Sequence, residues 1–216
     1  MDPNIIFGRL VRLAKLDTSV FDEVRDDPKE TLPAVAIVAI SALLAGIGAW
    51  LWLTLVKPFG GLDIDFVNIL LFIWLLGTIL TVGAWALWVG VTWLVLQNVY
   101  KEQVEFQTLL RTMGYAAFPF AFSILMAIPA LSMGFALVPL VGWFVLSIFA
   151  VQAASGAESD RVIKANLAGF LACCLLLGLF ARGFGIATGV FVVSEGLKPA
   201  VEGEYYKSAA PDFDIP

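Results

Sequence analysis

The sequence predicts an all-α membrane protein, a bundle of about five transmembrane helices preceded by an amphipathic interfacial helix. Three observations predict this fold class. Hydrophobic residues make up 60% of the 216 residues and charged residues only 14%, and the mean hydropathy is +0.91, far from the composition of soluble domains. The ionisable residues stand in short islands between four long uncharged runs, and each run is long enough to enter a bilayer. The positive charges are shared unevenly between alternate islands.

Residues 1–32 are predicted to lie outside the bilayer. Between Asn4 and Leu16, three bases recur every third residue and so share one side of a helix, namely Arg9, Arg12 and Lys15. Such a helix can lie on the membrane with its bases near anionic headgroups or near a partner. The equal alternative is a helix that only covers the end of the bundle.

A second, short helix is predicted to begin near Ser19 and to stop at Pro28, because capping oxygens precede acidic residues there. Its acids form a negative face. That face is either simply solvated or a docking surface, and solvation is the more frequent role of such a face.

The first two uncharged runs each predict one crossing. Residues 33–56 form a run of the length that crosses a hydrocarbon layer about 30 Å thick. Residues 66–99 are longer but contain no proline or polar turn. We therefore expect one long second helix that overshoots the membrane and is tilted or packed against a neighbour.

The remaining runs predict three further helices. Residues 112–157 are too many for one crossing and contain a breaker cluster at 128–134, so two helices joined by a tight hairpin are expected. The fifth helix is predicted over 165–193. Together these helices form a predicted membrane domain, 33–193, followed by an acidic, flexible tail, 194–216.

The distribution of Lys and Arg predicts the orientation. With five crossings, three bases fall on one side of the membrane, Lys57, Lys198 and Lys207. Nine fall on the other side: Arg9, Arg12, Lys15, Arg25, Lys29, Lys101, Arg111, Arg161 and Lys164. Because cytoplasmic loops retain positive charge, the N-terminus is expected in the cytoplasm and the C-terminus outside.

Several kinds of chemistry are not expected. The chain has no histidine, and its two cysteines, Cys173 and Cys174, lie side by side in an apolar run, so no metal site is predicted. No Gly-rich phosphate loop and no paired nucleophile and base are present. The net charge of -5 argues against nucleic acid as a partner. We expect no enzyme and no cofactor.

Arg182 is the one ionisable residue expected within the spans. If the fifth helix begins near residue 163, Arg182 lies at the outer interface and its guanidinium can reach the phosphates. If the helix runs to Val193, Arg182 is buried and needs a partner.

The polar residues and prolines inside the spans are interpreted as parts of the helix packing rather than as a substrate site. Gln152 and Asn166 are predicted to form hydrogen bonds within the bundle. Pro119 and Pro139 are predicted to kink their helices, and the Tyr115 hydroxyl could then bond a carbonyl that Pro119 leaves free.

Two sequence blocks carry a family resemblance. The first is Val20-Phe21-Asp22-Glu23-Val24-Arg25-Asp26-Asp27-Pro28 before the first crossing, and the second is Leu109 to Pro119, with Gly114, Tyr115 and Pro119 as its motif. Their order resembles the YIP domain family, the Ypt/Rab-interacting membrane proteins, and above all its bacterial branch. The resemblance implies a five-helix membrane domain and, for a bacterial member, the inner membrane.

Eukaryotic members of that family act in vesicle traffic by binding Rab-type GTPases. This sequence shows neither a long N-terminal cytoplasmic domain nor an Asp-Leu-Tyr-Gly-Pro element. The resemblance therefore does not carry GTPase binding over to this chain.

Two functions fit the sequence. The first is a non-enzymatic membrane scaffold that organises membrane partners or membrane shape, with the bilayer, other membrane proteins or its own copies as partners. Small residues at fourfold spacing would allow close helix contacts within or between chains: Ala86 and Gly90, and Ala181, Gly185 and Gly189. The alternative is a small transporter or channel subunit in which Arg182 meets an anion.

Overall fold

The computed structural model describes residues 3–60, 70–184, 186 and 191, and all the regular secondary structure in these residues is helical. Five of the helices are long and apolar enough to cross a membrane. The prediction of an all-α membrane bundle with about five spans is confirmed.

Two short helices precede the bundle. Helix α1 spans Pro3–Ala14 and helix α2 spans Val20–Arg25, so the predicted second helix is confirmed. Leu16 turns the chain between them with a φ of 63°. The fully buried side chains of the two helices are all apolar: Leu13, Val20, Phe21 and Val24. Both helices therefore belong to the core rather than to a separate segment.

The first two membrane helices follow the predicted runs. Helix α3 spans Thr31–Gly60 after a 3₁₀ turn at Pro28–Glu30. Helix α4 spans Leu76–Leu94 and is extended at both ends by π-helical turns, Leu70–Leu75 and Val95–Val99. The long second helix is thus continuous over residues 70–99, and the predicted residues 66–69 lie outside the described ones.

The third and fourth spans form the predicted hairpin. The third combines helix α5, Phe106–Tyr115, with a 3₁₀ helix, Phe118–Ala127. A 3₁₀ turn at Pro129–Leu131 leads into helix α6, Ser132–Ser155. The tight 3₁₀ form begins where the ring of Pro119 removes a backbone donor. The predicted start of the third span near residue 112 was wrong, because the helix begins six residues earlier.

Helix α7, Ser159–Phe184, is the fifth span and also begins earlier than predicted. Of the predicted continuation, only residues 186 and 191 are described. Gly185, Gly189 and the predicted tail 194–216 lie outside the described residues.

The closest helix contacts occur at glycines other than Gly90, which was predicted together with Ala86. A Cβ on Gly169 of α7 would lie 2.6 Å from the Trp88 carbonyl oxygen of α4, and a Cβ on Gly48 of α3 would lie 2.7 Å from Ile124 Cα. Only a hydrogen at these positions permits such backbone approach. Gly90, by contrast, has open space where a Cβ would stand, and Ala86 is exposed.

An aromatic cluster fills the centre of the four later helices. Trp88 lies 5.3 Å from Trp143 and 5.0 Å from Phe170, Trp143 lies 5.1 Å from Phe120, and Phe144 lies 4.7 Å from Phe170, measured between ring centroids. These separations are typical of favourable ring pairs. The centre of the bundle is therefore packed with rings.

Asn166 provides the polar link in this centre. Its side-chain oxygen accepts from Trp88 Nε1 at 2.9 Å and its amide nitrogen donates to Ser147 Oγ at 2.8 Å. The structural hydrogen bonding predicted for Asn166 is found. Gln152 likewise bonds Ser159 across the turn between α6 and α7.

Candidate functional site at the N-terminal end of the bundle

Three groups of residues meet at one end of the bundle, which we call the N-terminal end. They are α1 and α2, the loop 100–105 between α4 and α5, and the turn 156–158 between α6 and α7. Arg25 of α2 donates to the Ala153 carbonyl of α6 at 3.1 Å, and Arg161 of α7 pairs with Glu102 of the loop at 2.7 Å. All the ion pairs observed among the described residues lie at this end.

Arg9, Glu30 and Tyr115 form a chain of contacts that joins α1 to two membrane spans. Arg9 Nη1 lies 2.7 Å from Glu30 Oε1, and the Tyr115 hydroxyl donates to Glu30 Oε2 at 2.5 Å. Burial opposes the charge on Arg9, but Glu30 and Tyr115 outweigh it and raise the pKa of Arg9 above its ordinary value. The predicted bond from Tyr115 to a carbonyl freed by Pro119 was wrong, because the hydroxyl has a charged partner from another helix.

Gly114 brings that tyrosine into place. A Cβ at position 114 would lie 2.7 Å from the Ala34 Cβ and 2.9 Å from the Ala34 carbonyl oxygen. The third span therefore crosses the start of α3 at a distance that only glycine allows. The Gly114-Tyr115 pair, part of the block that carries the family resemblance, thus has a structural role: Gly114 allows the helices to cross closely and Tyr115 bonds Glu30.

Arg12 ties α1 to α2. Its guanidinium donates to Asp17 at 2.8 Å, to Glu23 at 2.6 Å and to Ser19 Oγ at 2.9 Å. Hydrogen bonds from Ser19 and then from Arg12 lower the pKa of Asp17 below its ordinary value of 3.8. Single exposed pairs contribute little to stability, but one guanidinium with three partners fixes the geometry of the turn.

The bases of the N-terminal helix thus have internal partners. Arg9 and Arg12 face acidic residues of the same chain rather than pointing away from it. Lys15 is exposed just beyond the end of α1. This arrangement favours the interpretation that α1 covers the end of the bundle, and contact of these three bases with lipid or a partner stays a prediction.

An apolar groove of about 460 Å³ lies between α1 and the bundle. Its lining comes from α1, α3 and the third span and includes Ile6, Leu10, Ile37, Ile40, Phe118 and Phe122. Phe7 and Ile5 of α1 are exposed beside it. One side of α1 is therefore apolar and open, as an interfacial helix requires.

A polar cleft of about 560 Å³ lies on another side of the N-terminal end. Arg25, Asp26, Glu105, Thr108 and Arg111 line it together with neutral residues of the segment 103–107 and of the C-terminal end of α6. A hydrogen bond from Arg25 lowers the pKa of Asp26, and Arg111 adds a smaller effect in the same direction.

Sequence reasoning missed Arg111. It is only 4% exposed and lies inside the third span, Phe106–Ala127, so the expectation that Arg182 is the only ionisable residue within the spans was wrong. The signal was present in the apolar residues Phe106, Leu109 and Leu110, which precede Arg111 and, with Met113 after it, keep a helical spacing that continues the span to the N-terminal side of Arg111.

Arg182 lies far along the chain from this cluster, in the last turn of α7, and its side chain is exposed. That position favours the interfacial alternative. Cys173 is buried and Cys174 half-buried, and both are free thiols. Among residues 3–60 and 70–184, no cluster of three acidic, His or Cys residues has a geometry suited to a metal ion.

Comparison with known proteins places the chain in a family. The model of the Yip1 domain matches residues 17–182, which include α2, the first four spans, all but the last two residues of the fifth and the whole of the polar cleft. No curated protein and no solved structure matches the chain. The match covers far more than half of the sequence and agrees with the five helices observed, so the chain belongs to the Yip1 domain family and is an integral membrane protein.

Proposed function

We propose that this protein is a non-enzymatic membrane scaffold whose N-terminal end binds other membrane proteins at the cytoplasmic face of a bacterial inner membrane. Yip1 family proteins are in general non-enzymatic membrane proteins, which supports the first part of this proposal. The orientation rests on the nine bases that the sequence distributes to that side.

The observation that carries the proposal is the filled centre of the bundle. The rings of Trp88, Trp143, Phe120 and Phe170 occupy the space between the later helices. Beside them, the Asn166 side chain bonds Trp88 and Ser147. A solute pathway needs groups that replace a hydration shell, and this centre offers packed rings instead.

The N-terminal end provides the surface that a scaffold needs. Helix α2 is fixed to the bundle by its buried apolar residues and by the bond from Arg25 to Ala153. Its exposed side presents two acids, Asp22 and Glu23, each of which pairs with an arginine of α1 or α2. A fixed, charged surface can recognise a partner without first ordering a flexible segment.

Site-specific photo-crosslinking in native membranes tests the proposal. A photoreactive residue replaces Asp22 on the exposed face of α2, and in a matched control it replaces Ala130, which is exposed in the hairpin between the third and fourth spans. The proposal expects discrete protein adducts from position 22 that are absent from position 130. Identical adduct patterns from both positions would contradict it.

A flux measurement tests the alternative function. Proteoliposomes that contain the purified full chain are loaded with small anions, cations and neutral solutes, and release is followed over time. The proposal expects release at the rate of protein-free vesicles. Release that depends on the protein, and that Arg182→Gln abolishes, would replace the scaffold with the transporter.

A further inference from the structure

Arg111 is a buried cation without a matching anion in the described part of the chain. Its Nη2 donates to Thr108 Oγ1 at 3.1 Å, and its Nε has no hydrogen-bond partner. No carboxylate among the described residues lies within 4.0 Å of its guanidinium, whereas Arg9, Arg12, Arg25 and Arg161 each have at least one.

Such an arginine is costly unless something compensates its charge. A guanidinium carries its charge at any pH that a cell reaches, and a buried charge that lacks a counter-charge strongly destabilises a fold in general. Asp26 is near enough for the charge of Arg111 to lower its pKa, but the Asp26 carboxylate accepts hydrogen bonds from Arg25 at 3.1 Å. Arg111 is therefore left without a direct counter-charge among the described residues, and an external anion would supply one.

The polar cleft gives an external anion access to Arg111. Thr108 and the half-buried Arg25 share its wall, and Gln103 and Gln107 add amide donors. Two acids also line it: Asp26, which Arg25 neutralises, and Glu105, which is exposed. The cleft thus combines one unsatisfied buried cation with several neutral donors, and it is large enough for a phosphate group with its substituent.

We propose that this cleft binds a phosphate group, with the Arg111 guanidinium as its main contact and Thr108 holding that guanidinium in position. A guanidinium is opposite in charge to a phosphate, and its planar N–H donors can bond two phosphate oxygens at once. Arg111 stands five residues into helix α5, or about 7.5 Å along it, which is the depth of lipid headgroups if the helix begins at the membrane surface. The phosphate is that of a lipid headgroup or a soluble phosphate ion, and the site does not depend on the scaffold role.

Ligand-dependent thermal stability distinguishes these sources. The full chain in mild detergent is titrated with inorganic phosphate against sodium chloride of equal ionic strength, and separately with phosphatidylglycerol against a phosphate-free neutral diacylglycerol. Unfolding is followed by tryptophan fluorescence. Binding to the folded state raises the unfolding temperature. A rise with both phosphate compounds supports the site with either source, and a rise with the lipid alone supports it with a headgroup as its ligand.

Single substitutions show whether the rise in unfolding temperature comes from the cleft. Arg111→Gln should weaken phosphate binding by on the order of tenfold or more, as expected for the loss of a charge-assisted contact. Arg182→Gln, which removes an exposed arginine elsewhere, should bind like the wild type. If Arg111→Gln does not fold, Thr108→Val takes its place, with binding about threefold weaker because the guanidinium loses its support.

Two results would overturn the proposal. One is a wild-type unfolding temperature that neither phosphate nor phosphatidylglycerol raises above its control. The other is an equal rise in the wild type and in the folded variant of Arg111 or Thr108.

Discussion

Replacing Tyr115 with phenylalanine tests how the N-terminal helix is joined to the bundle. The hydroxyl donates to Glu30 at 2.5 Å, and Tyr115 has no exposed surface. A hydrogen bond to a charged group contributes about 1.5–3 kcal/mol. Because Glu30 keeps its ion pair with Arg9, we expect Tyr115→Phe to lower the free energy of unfolding by about 2 kcal/mol, near the lower part of that range.

Reversible unfolding in SDS, followed by tryptophan fluorescence, measures this loss. Tyr100→Phe is the matched control, because Tyr100 is half-buried and its hydroxyl forms no hydrogen bond with the described residues. Its loss of stability should stay within about 0.5 kcal/mol. In a Glu30→Ala background, Tyr115→Phe should cost little, since the partner is already gone. Equal losses for the two tyrosine variants would refute the reasoning.

Three further predictions follow from the same end of the bundle. Gly114→Ala places a Cβ against α3 and should destabilise by about 1–3 kcal/mol, whereas Gly83→Ala, at an exposed position with open space, should be neutral or slightly stabilising in the same SDS assay. Arg9→Gln should raise hydrogen exchange over residues 3–14, and unchanged exchange there would contradict the ion pair with Glu30. Folding lowers the pKa of Asp17, so the stabilisation from this carboxylate is complete well above pH 3.8 and is lost as the pH falls from 3.8 through the lowered value. Hydrogen-exchange protection of α1 and α2 should decrease in that pH window. A decrease centred near neutral pH would contradict the role given to Asp17.

The spans could be predicted from the sequence because the cost of placing charge in lipid is a local property. The runs that begin at Pro33, Phe66 and Thr112 each stop where a charge or a breaker intervenes, and the hairpin at Pro129 was readable for the same reason. The ends of the membrane helices were harder to predict, because an apolar helical face can continue past a single charged residue. Arg111 shows this, since the helix extends beyond it to Phe106.

The partners of the site residues could not be predicted, because they come from distant parts of the chain. Tyr115 bonds a residue 85 positions away, and Trp88 bonds Asn166 at a separation of 78. The helical wheel showed correctly that Arg9 and Arg12 share a side of α1, but not that Asp17, Glu23 and Glu30 would face them. Hydropathy and periodicity fix which side of a helix is polar, and only the packing of the helices decides what that side meets.

Labelling of single cysteines in sealed vesicles of the native membrane tests the central claim, that five spans bring α1, α2 and the turn 156–158 to one side of the membrane. Cys173 and Cys174 are first replaced with alanine, and one cysteine is then introduced at Lys15, Ala130 or Glu158, all of which are exposed. With a membrane-impermeant maleimide, positions 15 and 158 should react from the same side and position 130 from the opposite side. Reaction of all three positions from one side would contradict the account.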